Sequence, residues 1–131
     1  MAYNNPVFEY FSNSHLRVTG TASADLVGKT FCRVATGGQD QNPNYATANA
    51  GGPSFGVVGW DAATGEKVTV FKKGVNSVTA GAALTAGAEV MANATGQAVP
   101  WTAATAPAVN RTLGIVLADA AAGEDAAVDL Y

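Results

Sequence analysis

The stretches at residues 55–71 and 113–131 share one pattern of hydrophobic and polar positions, and in each the pattern predicts a β-hairpin. The first reads FGVVGWDAATGEKVTVF, in which two β-compatible runs with alternating valines flank a short turn. The second reads LGIVLADAAAGEDAAVDLY, and eight of sixteen positions are identical when Gly56 is aligned with Gly114. Because the spacing of Gly, Asp and Gly-Glu is also shared, we predict two equivalent hairpins.

The two turns carry the same residues at the same places. Asp61 suits the first position of a type I turn, where its carboxylate can accept local backbone N–H groups, and Gly65 supplies a left-handed φ. Asp119 and Gly123 repeat this arrangement. Alanines at 120–122 raise a helical alternative, but five residues between β-like runs are too few for a stable helix. We predict that these four residues are structural turn residues.

Other short strands are predicted outside the repeated text. They fall at about residues 30–35, 75–79, 89–93, 97–101 and 112–117. Glycine turns separate them, and helix signals are few. The pattern predicts an all-β fold, a small β-barrel or β-sandwich of many short strands with two similar hairpins.

Two segments differ in composition from the rest of the chain. Residues 1–19 combine aromatic residues with Asn, Pro and Ser, which predicts an extended N-terminal arm. Residues 36–54 are rich in Gly, Asn, Gln and Pro and have little to bury, which predicts a long loop. A chain of 131 residues accommodates one domain. We therefore predict a single β domain over residues 20–131.

Composition and charge narrow the class of partner. Apolar residues make up 48% of the chain, but many are alanine, so a modest core makes self-association an expected source of stability. The net charge is −3, and no basic cluster is larger than Lys72-Lys73, which argues against nucleic acid as a partner. The N-terminus lacks a targeting pattern, and no run approaches the roughly 18 apolar residues of a membrane span. We expect a protein made without export and without a membrane partner.

Few side chains suit catalysis or metal binding. Cys32 is the only cysteine and His15 the only histidine, so neither a disulfide, a Ser-His-Asp arrangement nor a Cys/His metal site is supported. Cys32 lies in the apolar-alternating stretch TFCRVA, which predicts a small buried hydrophobic residue. The stretch DLVGKT lacks the first glycine of a phosphate loop, since Ser23 stands there. We predict no enzyme, no cofactor and no metal.

Three blocks, in order, resemble the phage head decoration or capsid cement proteins of tailed phages. They are GVVGWDAATGEKVTVFKKGV, VTAGAALTAGAEVMANATGQAVPW and LGIVLADAAAGEDAAVDLY, and the resemblance covers about residues 20–131. It implies a β-rich protein on the outer surface of an HK97-type capsid, commonly a trimer at three-fold or quasi-three-fold sites, that braces the expanded shell. The implied partners are the major capsid protein and further copies of the chain. The implied location is the virion, after synthesis in the host cytoplasm.

The N-terminal arm is the predicted contact segment. A segment of this kind can order across a neighbouring subunit by β-augmentation and bury its aromatic side chains there. The alternative is that the aromatic residues cover the domain's own core. The residues predicted to contact the capsid or another subunit are Tyr3, Phe8, Tyr10, Phe11, His15 and Arg17.

A second hypothesis for the function is a host- or glycan-binding β module displayed on the particle. In that case Trp60, Trp101 or the loop at 36–54 would form the binding site. Both tryptophans are flanked by apolar strand positions, however, so we predict core packing or an inter-subunit contact for them rather than carbohydrate stacking.

Overall fold

The computed structural model describes residues 17–131, and these residues form an all-β structure. No helix among them is long and apolar enough to span a bilayer. The ten strands are β1 (Arg17–Ala22), β2 (Phe31–Gln39), β3 (Asn42–Thr47), β4 (Gly56–Val58), β5 (Lys67–Phe71), β6 (Gly74–Thr79), β7 (Glu89–Ala92), β8 (Ala98–Pro100), β9 (Gly114–Val116) and β10 (Asp125–Leu130). The predicted all-β fold with two similar hairpins, β4–β5 and β9–β10, is confirmed.

The strands form two five-stranded units that repeat each other. The first unit, β1 to β5, is a closed barrel with the order β1-β3-β2-β4-β5. The second unit, β6 to β10, has the order β6-β10-β9-β7-β8. The shift of 58 residues that aligns Gly56 with Gly114 also converts the pairing of β1 with β5 into that of β6 with β10. The duplication therefore extends from the hairpins to the whole of both units.

The parallel seam between the first and third strands of each unit differs in length. In the first barrel β1 and β3 pair in parallel, with Ala22 opposite Tyr45. At the equivalent place in the second unit, the parallel contact is one bridge between Ala80 and Ala98. The second unit is thus the same arrangement with a shorter seam.

The buried core consists of two clusters, and one of them contains residues of both units. One buried cluster lies within the first barrel and includes Val68 and Val70, the alternating valines of β5. The other cluster fills the second unit, but Phe31, Ala48 and Val57 from the first barrel are part of it. The second unit therefore completes its core with side chains from the first.

Backbone hydrogen bonds reinforce this junction. The N–H of Phe31 donates to the carbonyl oxygen of Gly96 over 2.7 Å, and the N–H of Thr79 donates to that of Lys29 over 2.9 Å. The Lys29 ammonium also pairs with Asp125 at 2.7 Å. Backbone pairing and a common core hold the two units as one body.

The prediction of a loop over residues 36–54 is wrong for much of its length. Strand β2 continues to Gln39 and Asn42–Thr47 forms β3, which leaves a loop only after Thr47. The composition was misleading because most side chains of the β2–β3 hairpin are polar, and backbone pairing holds the hairpin together. Tyr45 is the exception, since its ring is buried and its hydroxyl donates to the carbonyl oxygen of Val18 over 3.0 Å.

The boundary of the predicted arm also differs. Residues 17–19 belong to β1, where Arg17 lies opposite Phe71 of β5. These residues have few apolar side chains, but the edge of β5 supplies the hydrogen bonds that order them. Residues 1–16 lie outside the part of the chain that the structure describes.

Candidate functional site

The repeated turns have a structural role that the duplication reproduces. Gly65 and Gly123 have φ angles of +89° and +87°, in the left-handed region that a residue with a Cβ rarely adopts. The local turn N–H groups of Ala63 and Ala121 donate to the carboxylates of Glu66 and Glu124.

The turn aspartates bond to a different segment from the one predicted. Asp61 Oδ1 accepts the N–H of Gly28 over 2.8 Å, and Asp119 Oδ1 accepts the N–H of Ala86 over 2.8 Å. Each aspartate therefore joins its hairpin to the loop that follows the first strand of its unit. The sequence signal was the shared position of the two aspartates, but their partners are distant in sequence.

The burial of the one cysteine makes its thiol unreactive. Cys32 is fully buried in the first barrel, and burial raises the pKa of its thiol to about 12. A thiol with such a pKa stays protonated near neutral pH and is a poor nucleophile. Within residues 17–131, no group of three or more His, Cys, Asp or Glu side chains could hold a metal ion. His15 lies outside the described residues.

A first apolar surface lies at a tip of the first barrel. Val27 is 60% exposed and Trp60 is 50% exposed. The segments meet because Gly28 lies against the backbone of Trp60, where a Cβ would approach the Trp60 Cα to 2.9 Å. We call Val27 and Trp60 the barrel-tip patch.

The second tryptophan is also partly exposed. Trp101 is 39% exposed, and its indole N–H donates to the carbonyl oxygen of Asn110 over 3.1 Å. Core packing is therefore wrong for both tryptophans, because each lies at the end of a strand where the chain turns to solvent. An inter-subunit contact stays a prediction for them.

A groove of about 380 Å³ lies between the two units. We call it the inter-unit groove, and the side chains that define its chemistry are Phe55, Lys72, Lys73, Arg111, Leu130 and Tyr131. Apolar and cationic side chains both line it.

An aromatic stack forms one wall of this groove. The ring of Phe55 stacks on the buried ring of Tyr45 with centroids 5.7 Å apart. The Lys72 ammonium lies 4.3 Å from the centroid of the Phe55 ring, as in a cation–π contact. Phe55 is thereby fixed between a buried ring and a charge at the surface.

The charge of the groove is unbalanced. Lys72, Lys73 and Arg111 line it, and no Asp or Glu side chain does. Among residues 17–131, none of these three cations has an acidic side chain within 4.0 Å, since the ion pair found there joins Lys29 and Asp125. The groove therefore suits a ligand with apolar groups and a carboxylate.

The start of β1, the end of β10 and the connection between the units lie near this groove. Arg17 lies opposite Phe71, which leads directly into Lys72 and Lys73. At the start of β6, Gly74 lies opposite Leu130. Arg17, the one predicted contact residue that the structure describes, is exposed at this place. Tyr3, Phe8, Tyr10, Phe11 and His15 lie outside the described residues.

These features define an all-β protein in which a closed five-stranded barrel is followed by a second, related five-stranded sheet. A family model described as phage cement protein matches residues 11–130, so the chain belongs to the phage cement protein family. It is a structural protein of the virion that associates with the phage capsid.

A solved structure supports the same fold. The chain is similar to the head fiber gp8.5 N base of bacteriophage phi29, with a TM-score of 0.70 and 18% sequence identity. The alignment covers 88% of this chain and 92% of that one. At this identity the likeness shows the fold alone. Among curated proteins, no sequence matches this chain.

Proposed function

We propose that the chain binds the outer surface of the capsid as a homotrimer at three-fold or quasi-three-fold sites and stabilises the expanded shell. The observation that carries this proposal is the match of residues 11–130 to the phage cement family. The half-exposed ring of Trp60 supports it, because aromatic side chains are enriched at protein interfaces. The shell partner is the major capsid protein, and the other partner is a further copy of the chain.

The mechanism is cohesion rather than turnover. Each trimer would contact several shell subunits at once, so modest interfaces act together through a high effective concentration. The free energy of these contacts is lost when shell subunits separate, which opposes the internal pressure of packaged DNA. Internal pairing between the two units suits this role, because the protein can carry load across its whole length.

The N-terminal residues contribute to these contacts in our proposal. Tyr3, Phe8, Tyr10 and Phe11 provide large apolar surfaces, and His15 and Arg17 provide polar groups near the point where the segment joins β1. Aromatic residues and Arg are enriched among residues that dominate protein interfaces.

Co-sedimentation with expanded, undecorated capsids of the same phage tests this function. Trimers at every three-fold and quasi-three-fold position give about one bound copy per shell subunit at saturation. We expect saturable binding at that ratio, measured by quantitative electrophoresis of the pellet, and unexpanded capsids serve as the control. A different fixed ratio would contradict the trimer placement, and no binding would contradict the cement role.

The exposure of Trp60 favours a second candidate, a host- or glycan-binding module displayed on the particle. Exposed tryptophan rings can stack on sugars, whereas buried ones cannot. Saturable binding of the isolated protein to glycans, together with no binding to capsids, would favour this candidate over the first.

A further inference from the structure

We propose that the inter-unit groove is the docking site for residues 7–11 of an adjacent copy of this chain. The proposal rests on the proposed function, because cement copies must lie next to each other on the shell. It assigns the arm a defined receptor on its neighbour, which links bound copies to one another as well as to the capsid.

The chemistry of the groove specifies the occupant. Phe55 and Leu130 present apolar surface, and Lys72, Lys73 and Arg111 surround it with positive charge. A fitting peptide therefore has bulky apolar side chains on both sides of a carboxylate.

Residues 7–11 have this composition. They read Val-Phe-Glu-Tyr-Phe, and Glu9 is the one acidic residue among residues 1–16. Aromatic rings can pack against the edge of Phe55, whose face is covered by Lys72, and the Glu9 carboxylate supplies the charge that the groove cations lack. The chain thus carries both halves of one complementary pair.

The length of the N-terminal segment allows docking on a neighbour. Residues 7–11 are six to ten positions before Arg17, so they can lie up to roughly 20–34 Å from it at about 3.4 Å per residue. A domain of this size has a radius of gyration of about 13 Å, so that distance reaches a copy in contact. Residues 12–14 read Ser-Asn-Ser, a polar composition that suits a spacer between the aromatic residues and β1.

Photo-crosslinking in mixed isotopes tests the docking directly. Phe8 is replaced by the photoreactive p-benzoylphenylalanine, which keeps an aromatic ring, and equal amounts of ¹⁴N- and ¹⁵N-labelled full-length protein are mixed. Irradiation is done on capsids and on concentrated free protein, and mass spectrometry identifies crosslinked peptides. We expect crosslinks to the groove peptides that contain Phe55 or Leu130, and half of them should join a light chain to a heavy chain.

Charge variants test the role of the groove cations. The double substitution Lys72→Glu with Arg111→Glu should lower the groove crosslink yield by about tenfold, because two attractions become repulsions. Adding Glu9→Lys to that variant should restore most of the yield, which a merely structural defect would not do. The matched control Lys67→Glu reverses an exposed charge of β5 outside the groove and should leave the yield unchanged.

The outcomes separate this proposal from the proposed function. Crosslinks only within chains of one label, or only to the shell protein or another surface, would overturn docking on a neighbour. A yield that ignores the charge reversal would overturn the role of the groove. Capsid binding without groove crosslinks would reject the docking and keep the cement role. Mixed-label groove crosslinks without capsid binding would keep the docking and reject the cement role.

Discussion

Single residues can be compared with their counterparts 58 positions later in the chain. Lys29 has a φ of +62°, and its counterpart Gly87 has a φ of +86°. A left-handed conformation costs a residue with a Cβ about 1–2 kcal/mol. The half-exposed pair with Asp125 offsets at most about 1 kcal/mol of this cost. Two backbone bonds hold Lys29 in place: its N–H donates to the carbonyl oxygen of Val58, and its own carbonyl accepts the N–H of Thr79 from the second unit.

Cys32 gives a prediction at this scale. Burial raises the pKa of its thiol from 9.0 to about 12, so the reactive thiolate fraction near pH 8 is roughly a thousandfold lower than for an exposed thiol. We expect native protein to resist an aromatic disulfide reagent and to release one equivalent of chromophore after unfolding in denaturant. The control Cys32→Ser should react in neither state. Rapid labelling of the native protein would show that the barrel opens at this place.

At the scale of elements, the hairpins were predictable and β3 was not. The sequence of β4–β5 alternates apolar residues around a strong turn, so local periodicity specifies it. The chain of β3 reads NPNYAT, and pairing with β2 and β1 together with burial of Tyr45 makes it a strand. A further signal of the full duplication was present, since Leu26 precedes Asp61 by the same distance as Leu84 precedes Asp119.

The glycines of the duplicated hairpins give a prediction about elements. A Cβ on Gly65 or Gly123 would meet nothing within 4 Å, so Gly→Ala at either place adds only backbone strain of about 1 kcal/mol. At Gly114 a Cβ would lie 2.6 Å from the Asp129 carbonyl oxygen, and Gly56 is crowded by the Phe71 carbonyl in the same way. Gly→Ala there should cost about 2–3 kcal/mol or more.

Urea unfolding of the four single variants measures these differences in the free energy of unfolding. We expect two matched pairs, with the turn pair milder than the strand pair. If the two members of a pair differed by more than about 1 kcal/mol, the units would not be energetically equivalent.

The candidate contact surfaces were only partly predictable. The aromatic character of residues 1–19 predicts a contact segment, and that stays a prediction. The groove arises from Phe55, Arg111 and Leu130, which are far apart in sequence. Their meeting depends on how the two units pack, and no local pattern encodes that. The exposure of Trp60 has the same origin, because apolar neighbours in sequence do not reveal which side of a strand end faces solvent.

At the scale of the whole molecule, two truncations can test whether the domain begins at residue 17 or at residue 20. Removal of residues 1–16 leaves β1 complete, so the melting temperature should stay within about 2 °C while capsid binding weakens. Removal of residues 1–19 also deletes the partners of Thr69, Val70 and Phe71, and should lower the melting temperature by several degrees.

Calorimetry and capsid co-sedimentation of the two truncated chains check this prediction. Full capsid binding by the chain that lacks residues 1–16 would contradict a contact role for the arm. Equal melting temperatures for both truncated chains would contradict the need for residues 17–19 in the barrel.

The shared core has a consequence for how the protein breaks. Phe31, Ala48 and Val57 lie in the core of the second unit although they belong to the first, and backbone bonds cross the same junction. A force that pulls the units apart must therefore expose buried side chains and break several hydrogen bonds together. We expect the two units to unfold together under force, so each copy resists extension as one rigid body and not as two flexibly linked domains.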